Sequence, residues 1–448
     1  MTISSSTDSS SPSTSTGPRA PSRVRWIILA FLVGASFVAY LLRTNLSIAG
    51  EALMGDLGID KVQLGLVLAA FAWGYGLFQF PGGLLGDRLG SRLTITLLAL
   101  VWGALTLLVG LLPVTLAPAS ILGLLVGLRF LMGVAQAPFF PVTGGGTVSH
   151  WFPFSGWALP NGLMSTGLTL GAAATAPIVA WLTQEFGWRF SFLLLAPTGF
   201  LLSLWWWWYA RDEPSQHRSV NSAELELITR GRAAEEEATP VSWREILRNR
   251  QLLLLTFSYF CMNYVFYIFF NWFFIYLLEV RGFSALEGGF VAALPWLVGA
   301  AFATLGGLWC DRLSQRLGPR WGCRIPALIG LSLAAVLLVL GAVAQSAAIA
   351  VILLSLCFAC TQLTEGAYWS AAIAVADRHA SAATGMLNTG GNLVGGFGAL
   401  LVPLVAEAVG WVPALATGSV FAILGALAWL IIRADQPLVA TVVAKPAS

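Results

Sequence analysis

Three ionisable side chains stand inside long apolar stretches of the sequence, whereas nearly all other charges fall between such stretches. These three residues are Arg43, Arg129 and Glu365. A charge in a hydrocarbon environment is expensive and persists mainly where it lines a polar cavity or a substrate path. Two cations against one carboxylate leave an excess of positive charge, so we expect a cavity through which organic anions cross a membrane.

The two arginines and the glutamate suit different tasks. The planar guanidinium of Arg43 matches a carboxylate, which predicts substrate binding; a structural pairing or a water-filled niche is the alternative. Arg129 either binds substrate or holds Gln136 and the first helix in place, because Arg129 and Gln136 share a helical face. Glu365 is either a proton carrier, the interpretation we prefer, or the fixed partner of a buried arginine.

Other polar side chains recur at helical spacing inside the apolar stretches. Such stripes either join helices through modest hydrogen bonds or line a cavity, and three stripes in the second half of the chain favour a cavity. The stripes are Tyr75 and Gln79 in the first half, and Asn263, Tyr267 and Asn271, then Gln362, Glu365 and Trp369, then Asn388 and Asn392 in the second. The predicted substrate-binding residues are Arg43, Tyr75, Arg129, Gln136, Asn263, Tyr267, Trp369, Asn388 and Asn392.

The composition indicates a membrane protein. Of the 448 residues, 57% are hydrophobic and 10% are charged, against roughly 25% charged in soluble domains. Apolar runs of about 20 residues, each able to cross a hydrocarbon core of about 30 Å, recur along the chain. The twelve predicted spans cover about 26–50, 62–86, 93–112, 119–141, 157–183, 189–209, 251–278, 285–309, 324–343, 347–376, 382–406 and 411–433.

Charge and cysteine content narrow the partners. A net charge of +3 is small and spread over loops, so no nucleic-acid partner is expected. The five cysteines lie mostly in apolar runs. Cys357 and Cys360 are closely spaced but have neither His nor further Cys nearby, so we expect packing cysteines, no metal site and no cofactor.

The segments between the spans divide the chain into two halves. Residues 1–22 are rich in Ser, Thr and Pro and are expected to be disordered, and residues 435–448 form a second tail. Between the tails we predict a six-helix unit at 23–210, a cytoplasmic linker at 211–250 and a second six-helix unit at 251–434. Basic residues fall almost entirely on the side of the linker and of both chain ends, which indicates that this side is cytoplasmic.

One short sequence occurs in both halves. Gly-Gly-Leu-Leu-Gly-Asp-Arg-Leu at 82–89 returns as Gly-Gly-Leu-Trp-Cys-Asp-Arg-Leu at 306–313, a shift of 224 residues. Arg92 and Arg316 keep this shift. A six-helix unit duplicated in parallel, with the site between the halves, is typical of transporters. The dipeptide Gly-Trp also recurs, before the last helix of each half, at 187–188 and 410–411.

The stretch Gly83-x-x-x-Asp87-Arg88-x-Gly90-x-Arg92 resembles the signature loop of the major facilitator superfamily. An acid with arginines at a helix end can make charge-assisted contacts. The resemblance implies two bundles that rock about a central site, with this loop latching the bundle ends in the outward-open state. The predicted latch residues are Gly83, Asp87, Arg88, Arg92, Asp311 and Arg312.

Further matches resemble the anion:cation symporter branch of that superfamily, which includes bacterial sugar-acid carriers and animal vesicular glutamate and sialic-acid carriers. The resemblance implies an organic-anion substrate and proton symport. Leu42 and Gln136 depart from it, because they stand where relatives often carry acids, so coupling must use Glu365, use another ion or be absent. The matching segments are 43–47, 71–75, 79–83, 129–138, 367–370 and 391–392.

These patterns predict an all-α membrane protein with twelve transmembrane helices in two pseudo-symmetric six-helix bundles. We expect a monomer in the bacterial cytoplasmic membrane that carries a small organic anion, a sugar acid or another carboxylate, by alternating access, with or without protons or another coupling ion. The alternative is an exchanger or uniporter of organophosphates or carboxylates without proton coupling; a non-transporting membrane sensor is less favoured. The sequence shows no nucleophile–base pair, metal cluster or phosphate-cradling loop, which argues against an enzyme.

Overall fold

The computed structural model describes residues 20–113, 117–153, 158–229, 248–376 and 380–436. Within these ranges it does not describe the side chains at 80, 84, 87, 118, 145, 158, 159 and 380–382. The described residues form helices joined by short turns, and no β-strand occurs among them. A helix satisfies its backbone hydrogen bonds internally, which is what a chain surrounded by lipid requires.

The first bundle is built from six long helices. Polar caps fix where they begin; Asp60, for example, accepts a hydrogen bond from the backbone N–H of Gln63 and starts the second helix. The fourth helix continues as a π-helical segment, Pro141–Thr147, and a short helix, Val148–Trp151. The six helices are α1 (Val24–Leu57), α2 (Lys61–Leu89), α3 (Ser91–Gly110), α4 (Pro118–Gln136), α5 (Ala158–Phe186) and α6 (Trp188–Tyr209).

The second bundle also contains six long helices, and two of them are interrupted near the middle. Their bounds are α7 (Arg250–Asn271, continued as Phe273–Arg281), α8 and α9 (together Ala285–Val343), α10 (Ala347–Leu363, continued as Glu365–Ala376), α11 (Ala380–Val409) and α12 (Trp411–Ile431). α8 and α9 meet at Gly318, whose φ of 81° is a left-handed conformation that glycine adopts readily.

The number of spans agrees with the sequence. Eleven of the described helical stretches are long and apolar enough to cross a membrane. One of them, Ala285–Val343, holds two spans, because the helix axis is broken at Gly318. The prediction of twelve transmembrane helices in an all-α fold is therefore confirmed.

The two halves are not related by one constant shift along the chain. The turn after α2 is at Gly90, with φ 78°, and lies 228 residues before Gly318, whereas the repeated motif is shifted by 224. The four extra residues add about one turn to the end of α8. Arg92 follows its glycine and Arg316 precedes Gly318, so the expected equivalence of these two arginines is wrong. Arg320 holds the place of Arg92.

The helix ends define two faces of the molecule. The linker face carries residue 20, the segment between α6 and α7, and residue 436. The opposite face carries the turns that follow α1, α5, α7, α9 and α11. These two names are used below without assigning either face to a compartment.

The described part of the linker is attached to the first bundle. Its helix, Ser222–Thr229, presents a buried Glu224 that accepts hydrogen bonds from the backbone N–H groups of Val24 and Arg25. A carboxylate at a helix N-terminus is favourable, so the linker caps α1. The remainder of the predicted linker, 230–247, lies outside the described residues, as do 1–19 and 437–448 of the predicted tails.

The two bundles pack together between the middle of the molecule and the opposite face. α2 lies against α11, where a Cβ atom on Gly65 would come within 2.5 Å of the Ala399 carbonyl oxygen. α5 lies against α8, where a Cβ atom on Gly289 would come within 2.9 Å of the Ala176 carbonyl oxygen. Side chains at either glycine would prevent these approaches. The structure is therefore closed at the opposite face.

Candidate functional site

Arg43 lies in α1, facing the second bundle, and is only 2% exposed. Its Nη2 donates a hydrogen bond of 2.9 Å to the hydroxyl of Tyr267 in α7. Its Nη1 lies 3.5 Å from the hydroxyl of Tyr40, one turn earlier in α1. Among the described residues no carboxylate forms an ion pair with Arg43, and its Nε has no hydrogen-bond partner. A buried cation held only by neutral groups is suited to receive an anion.

Aromatic rings surround the Arg43 guanidinium on several sides. A cation near ring faces is stabilised by their negative quadrupole without being neutralised. The ring centroids lie 4.7 Å from its Cζ for Phe71 and Tyr75, 4.9 Å for Phe270 and 5.2 Å for Tyr40. This arrangement holds the charge in place and leaves its hydrogen-bonding capacity for a ligand.

A chain of hydrogen bonds runs from Arg43 across both bundles. The Tyr267 hydroxyl donates to Asn392 Oδ1 at 2.9 Å, and Asn392 Nδ2 donates to Asn388 Oδ1 at 3.0 Å. Asn388 Nδ2 then donates to Gln79 Oε1 in α2 at 3.1 Å. The polar stripes of α7 and α11 and the predicted pair in α2 thus meet Arg43, and the network crosses from one bundle to the other twice.

Arg129 and Gln136 lie behind this network and support α1. Arg129 Nη2 donates to the backbone carbonyl of Arg43 at 3.0 Å, and Gln136 Nε2 donates to that of Ala39 at 3.1 Å. The Arg129 guanidinium also lies 4.9 Å from the ring of Phe71. Of the two roles open for Arg129, these contacts favour holding the first helix.

Glu365 belongs to a separate polar cluster inside the second bundle. Its Oε1 accepts hydrogen bonds from the Tyr259 hydroxyl and from Trp369 Nε1, each 2.8 Å long. Asn263 Nδ2 donates to the Tyr259 carbonyl at 2.9 Å, so this member of the α7 stripe does not join the Arg43 network. No ion pair joins Glu365 to an arginine among the described residues, which leaves its interpretation as an arginine partner without a contact.

The predicted latch residues lie at the linker face but are not joined to one another. Arg92 donates to the Trp207 carbonyl at 2.7 Å and stacks on that ring, so it is bound to α6 of its own bundle. Asp212 of the linker accepts the Arg92 backbone N–H at 2.8 Å. Arg88, Asp311 and Arg312 are exposed, and Gly83 lies beside Pro141. The Asp87 side chain is outside the described residues, and the latch stays a prediction.

Sequence reasoning missed the aromatic half of the site. Tyr40, Phe71, Phe270 and Tyr259 received no role, although all four contact a predicted residue. Tyr40 stands three residues before Arg43 and Phe71 four before Tyr75, a spacing that places each pair on one helical face. That signal was available, but aromatic residues are too frequent in this chain for spacing alone to select them.

A duplicated bundle of twelve membrane helices with a buried cation between its halves defines a membrane transporter. The family model described as the Major Facilitator Superfamily matches residues 32–380, and the chain belongs to that superfamily. It is therefore a multi-pass membrane protein and not an enzyme.

The chain is similar to several bacterial proteins over most of its length. It is 35% identical to the probable galactarate/D-glucarate transporter GudP of Bacillus subtilis (strain 168), over 75% of each chain. It is 32% identical to the probable sulfoacetate transporter SauU of Cupriavidus necator, over 92% of this chain and 94% of that one. A bacterial homologue of the human lysosomal transporter Spinster shares the fold, with a TM-score of 0.73 at 17% identity over 92% of this chain and 98% of that one.

Proposed function

We propose that this transporter carries small organic anions by alternating access and that Arg43 binds the anionic group. The observation that carries the proposal is a buried guanidinium between the two bundles that contacts aromatic rings and hydroxyls but no described carboxylate. Such a cation gains most from a carboxylate or a comparable anion. The relatives support this class, since their names give galactarate, D-glucarate and sulfoacetate as substrates.

The polar network offers a place for the rest of the substrate. Asn388, Asn392 and Gln79 present amide groups that match the hydroxyls of a sugar acid. An arriving carboxylate competes with the Tyr267 hydroxyl for Arg43, because a charge-assisted hydrogen bond is stronger than a neutral one. Substrate binding would then break a bond between the bundles, which links binding to their rocking motion.

An organophosphate is less favoured than a carboxylate. Recognition of phosphate by two cations would need both arginines to face the same cavity. Arg129 is committed to the backbone of Arg43 and to the ring of Phe71. One available guanidinium favours a single carboxylate or sulfonate group.

Energy coupling, orientation and assembly form the finer part of the proposal. Glu365 is the candidate proton carrier, because Leu42 and Gln136 cannot bind a proton near neutral pH and Glu365 is a half-buried acid within the second bundle. Uncoupled exchange or uniport is the alternative. The distribution of basic residues supports a cytoplasmic linker face, with the protein acting as a monomer in the bacterial cytoplasmic membrane.

Thermal unfolding of purified protein against a panel of sugar acids, sulfonates and organophosphates tests the proposal. A ligand that binds only the folded state raises the melting temperature as its concentration exceeds Kd. We expect a carboxylate or sulfonate to raise it in the unmodified protein and in Arg316→Lys, an exposed control, but not in Arg43→Ala. Equal shifts in all three proteins would exclude Arg43 as the anchor.

A further inference from the structure

An ion pair joins the two bundles at the opposite face. Lys61, the first residue of α2, places its Nζ 2.7 Å from Oε2 of Glu279 near the end of α7. The same oxygen accepts a hydrogen bond of 3.0 Å from Nε1 of Trp411, the first residue of α12. The ammonium lies 5.3 Å from the Trp411 ring. The acid and the tryptophan belong to the second bundle, whereas the cation comes from the first.

The first bundle contains the same arrangement without a cross-bundle member. Trp188 Nε1 donates to Asp56 Oδ2 at 3.0 Å, and Arg189 forms an ion pair with that same oxygen. The Arg189 guanidinium lies 4.2 Å from the Trp188 ring. Asp56 ends α1, and Trp188 and Arg189 begin α6, so the acid, the tryptophan and the cation all belong to one bundle.

The two clusters occupy corresponding positions of the duplicated fold. Asp56 and Glu279 lie 223 residues apart, as do Trp188 and Trp411. The residue that corresponds to Arg189 is Val412, which carries no charge. Glu279 therefore lacks the local cation that Asp56 has and takes one from the other bundle.

The surroundings of the cross-bundle pair suit a contact that forms and breaks. The side chains of Lys61 and Glu279 remain 20% and 28% exposed, and an ion pair in such a setting contributes little to stability. Trp411 is fixed against Trp272 and Tyr276 of its own bundle, with ring centroids 6.4 and 5.8 Å away. Glu279 thus keeps one hydrogen bond when Lys61 withdraws, so opening does not strand its carboxylate.

We propose that Lys61, Glu279 and Trp411 form a gate that holds the bundles together at the opposite face, and that Asp56, Trp188 and Arg189 form the permanent counterpart. The gate must open whenever the central site communicates with that face. The inference rests on alternating access but not on the identity of the substrate. A weak bond is sufficient, because a small free-energy difference shifts a two-state equilibrium several-fold.

The experiment measures how often the opposite face opens. Ile275 of α7 is buried against α1 near Gly50 in the half of the molecule that faces the opposite face. A cysteine placed there, Ile275→Cys, is reached by a charged methanethiosulfonate reagent only when the bundles part. The five native cysteines are buried, and the protein without Ile275→Cys supplies the background rate. The protein is labelled in lipid nanodiscs with no substrate added.

In the Ile275→Cys background, Glu279→Gln and Lys61→Met are each expected to raise the labelling rate about fivefold, which corresponds to about 1 kcal/mol at 1.4 kcal/mol per tenfold. The matched variants Asp56→Asn and Arg189→Met are expected to change it less than twofold. The exchange Lys61→Glu with Glu279→Lys, which rebuilds the pair in reverse, is expected to return the rate towards that of the parent.

Lys61→Met guards against a folding defect, because it leaves the bond between Trp411 and Glu279 intact. An unchanged rate in both Glu279→Gln and Lys61→Met would overturn the gate. So would an equal increase in Asp56→Asn, because the two clusters would then be equivalent. Since no substrate is present, a wrong assignment of Arg43 leaves these outcomes unaffected.

Discussion

The two bundles contribute opposite kinds of chemistry to the centre of the molecule. The first bundle supplies the buried cations, with Arg43 facing the second bundle and Arg129 supporting its helix. The second bundle supplies neutral donors and acceptors, Tyr267 and Asn392 among them, and the single acid, Glu365. A duplicated fold has thus become asymmetric, with anion binding in one half and candidate proton binding in the other.

This asymmetry separates two functions that many carriers place side by side. The hydroxyl of Tyr267 touches Arg43, whereas Glu365 is held by Tyr259 and Trp369. A bound anion and a bound proton would therefore influence each other through the movement of the bundles more than through direct contact. The following predictions test that separation, from the largest expected effect to the smallest.

The substitution Arg43→Lys keeps the charge but removes the planar fork. We expect uptake to fall about 100-fold, in line with the roughly 2–5 kcal/mol lost when one partner of a buried hydrogen-bonded charge pair is removed. The measurement is uptake of the anion selected by thermal unfolding, in reconstituted vesicles, with Arg316→Lys as the exposed control. Normal uptake by Arg43→Ala would show that the first bundle does not anchor the anion.

The substitution Glu365→Gln removes the only acid of the central region without changing its shape. If Glu365 carries the proton, one proton per monovalent anion supports about tenfold accumulation per pH unit, and Glu365→Gln abolishes it. Exchange of labelled for unlabelled substrate should persist, because exchange does not require the empty carrier to return.

Vesicles with and without an imposed pH gradient distinguish the outcomes for Glu365→Gln. If the unmodified protein ignores the gradient, proton symport is wrong and exchange or uniport replaces it. If both proteins respond equally, Glu365 is structural and the proton carrier lies elsewhere.

The substitution Tyr267→Phe removes the hydroxyl that competes for Arg43. We expect substrate to bind about three- to fivefold more tightly, because a neutral hydrogen bond of about 1 kcal/mol no longer has to be displaced. Transport should become slower, since the contact between bundles is lost. Kd from calorimetry and initial uptake rates measure both effects, and Tyr264→Phe is the control, because Tyr264 binds Thr417 instead. Weaker binding would mean that the hydroxyl contacts the substrate directly.

The substitution Asp87→Asn tests the predicted latch at the linker face. We expect turnover to fall about two- to threefold with little change in affinity, as for loss of one exposed charge contact of about 0.5 kcal/mol. Uptake rate and Kd are compared with those of Asp311→Asn, the corresponding residue of the other half. Unchanged turnover together with unchanged accessibility of cysteines at this face would remove the latch.

The fold and the polar members of the site followed from local patterns. Arg43, Tyr267, Asn388 and Asn392 were found because polar groups are rare in membrane helices and recur at helical spacing. The aromatic ring of Phe270 could not be selected in this way, since nothing local distinguishes it from other apolar residues. Its role depends on which helix of the other bundle lies opposite.

The sequence by itself determined the twelve spans, the duplication and the class of ligand, because hydrocarbon penalises every unpaired charge and every unsatisfied backbone group. Only the tertiary structure decided how the polar residues divide. It turned Arg129 and Gln136 onto the backbone of α1, joined Tyr267 to Arg43 and assigned Lys61 to Glu279. These partners lie in different helices, so their contacts depend on how the helices pack, which spacing along one helix does not encode.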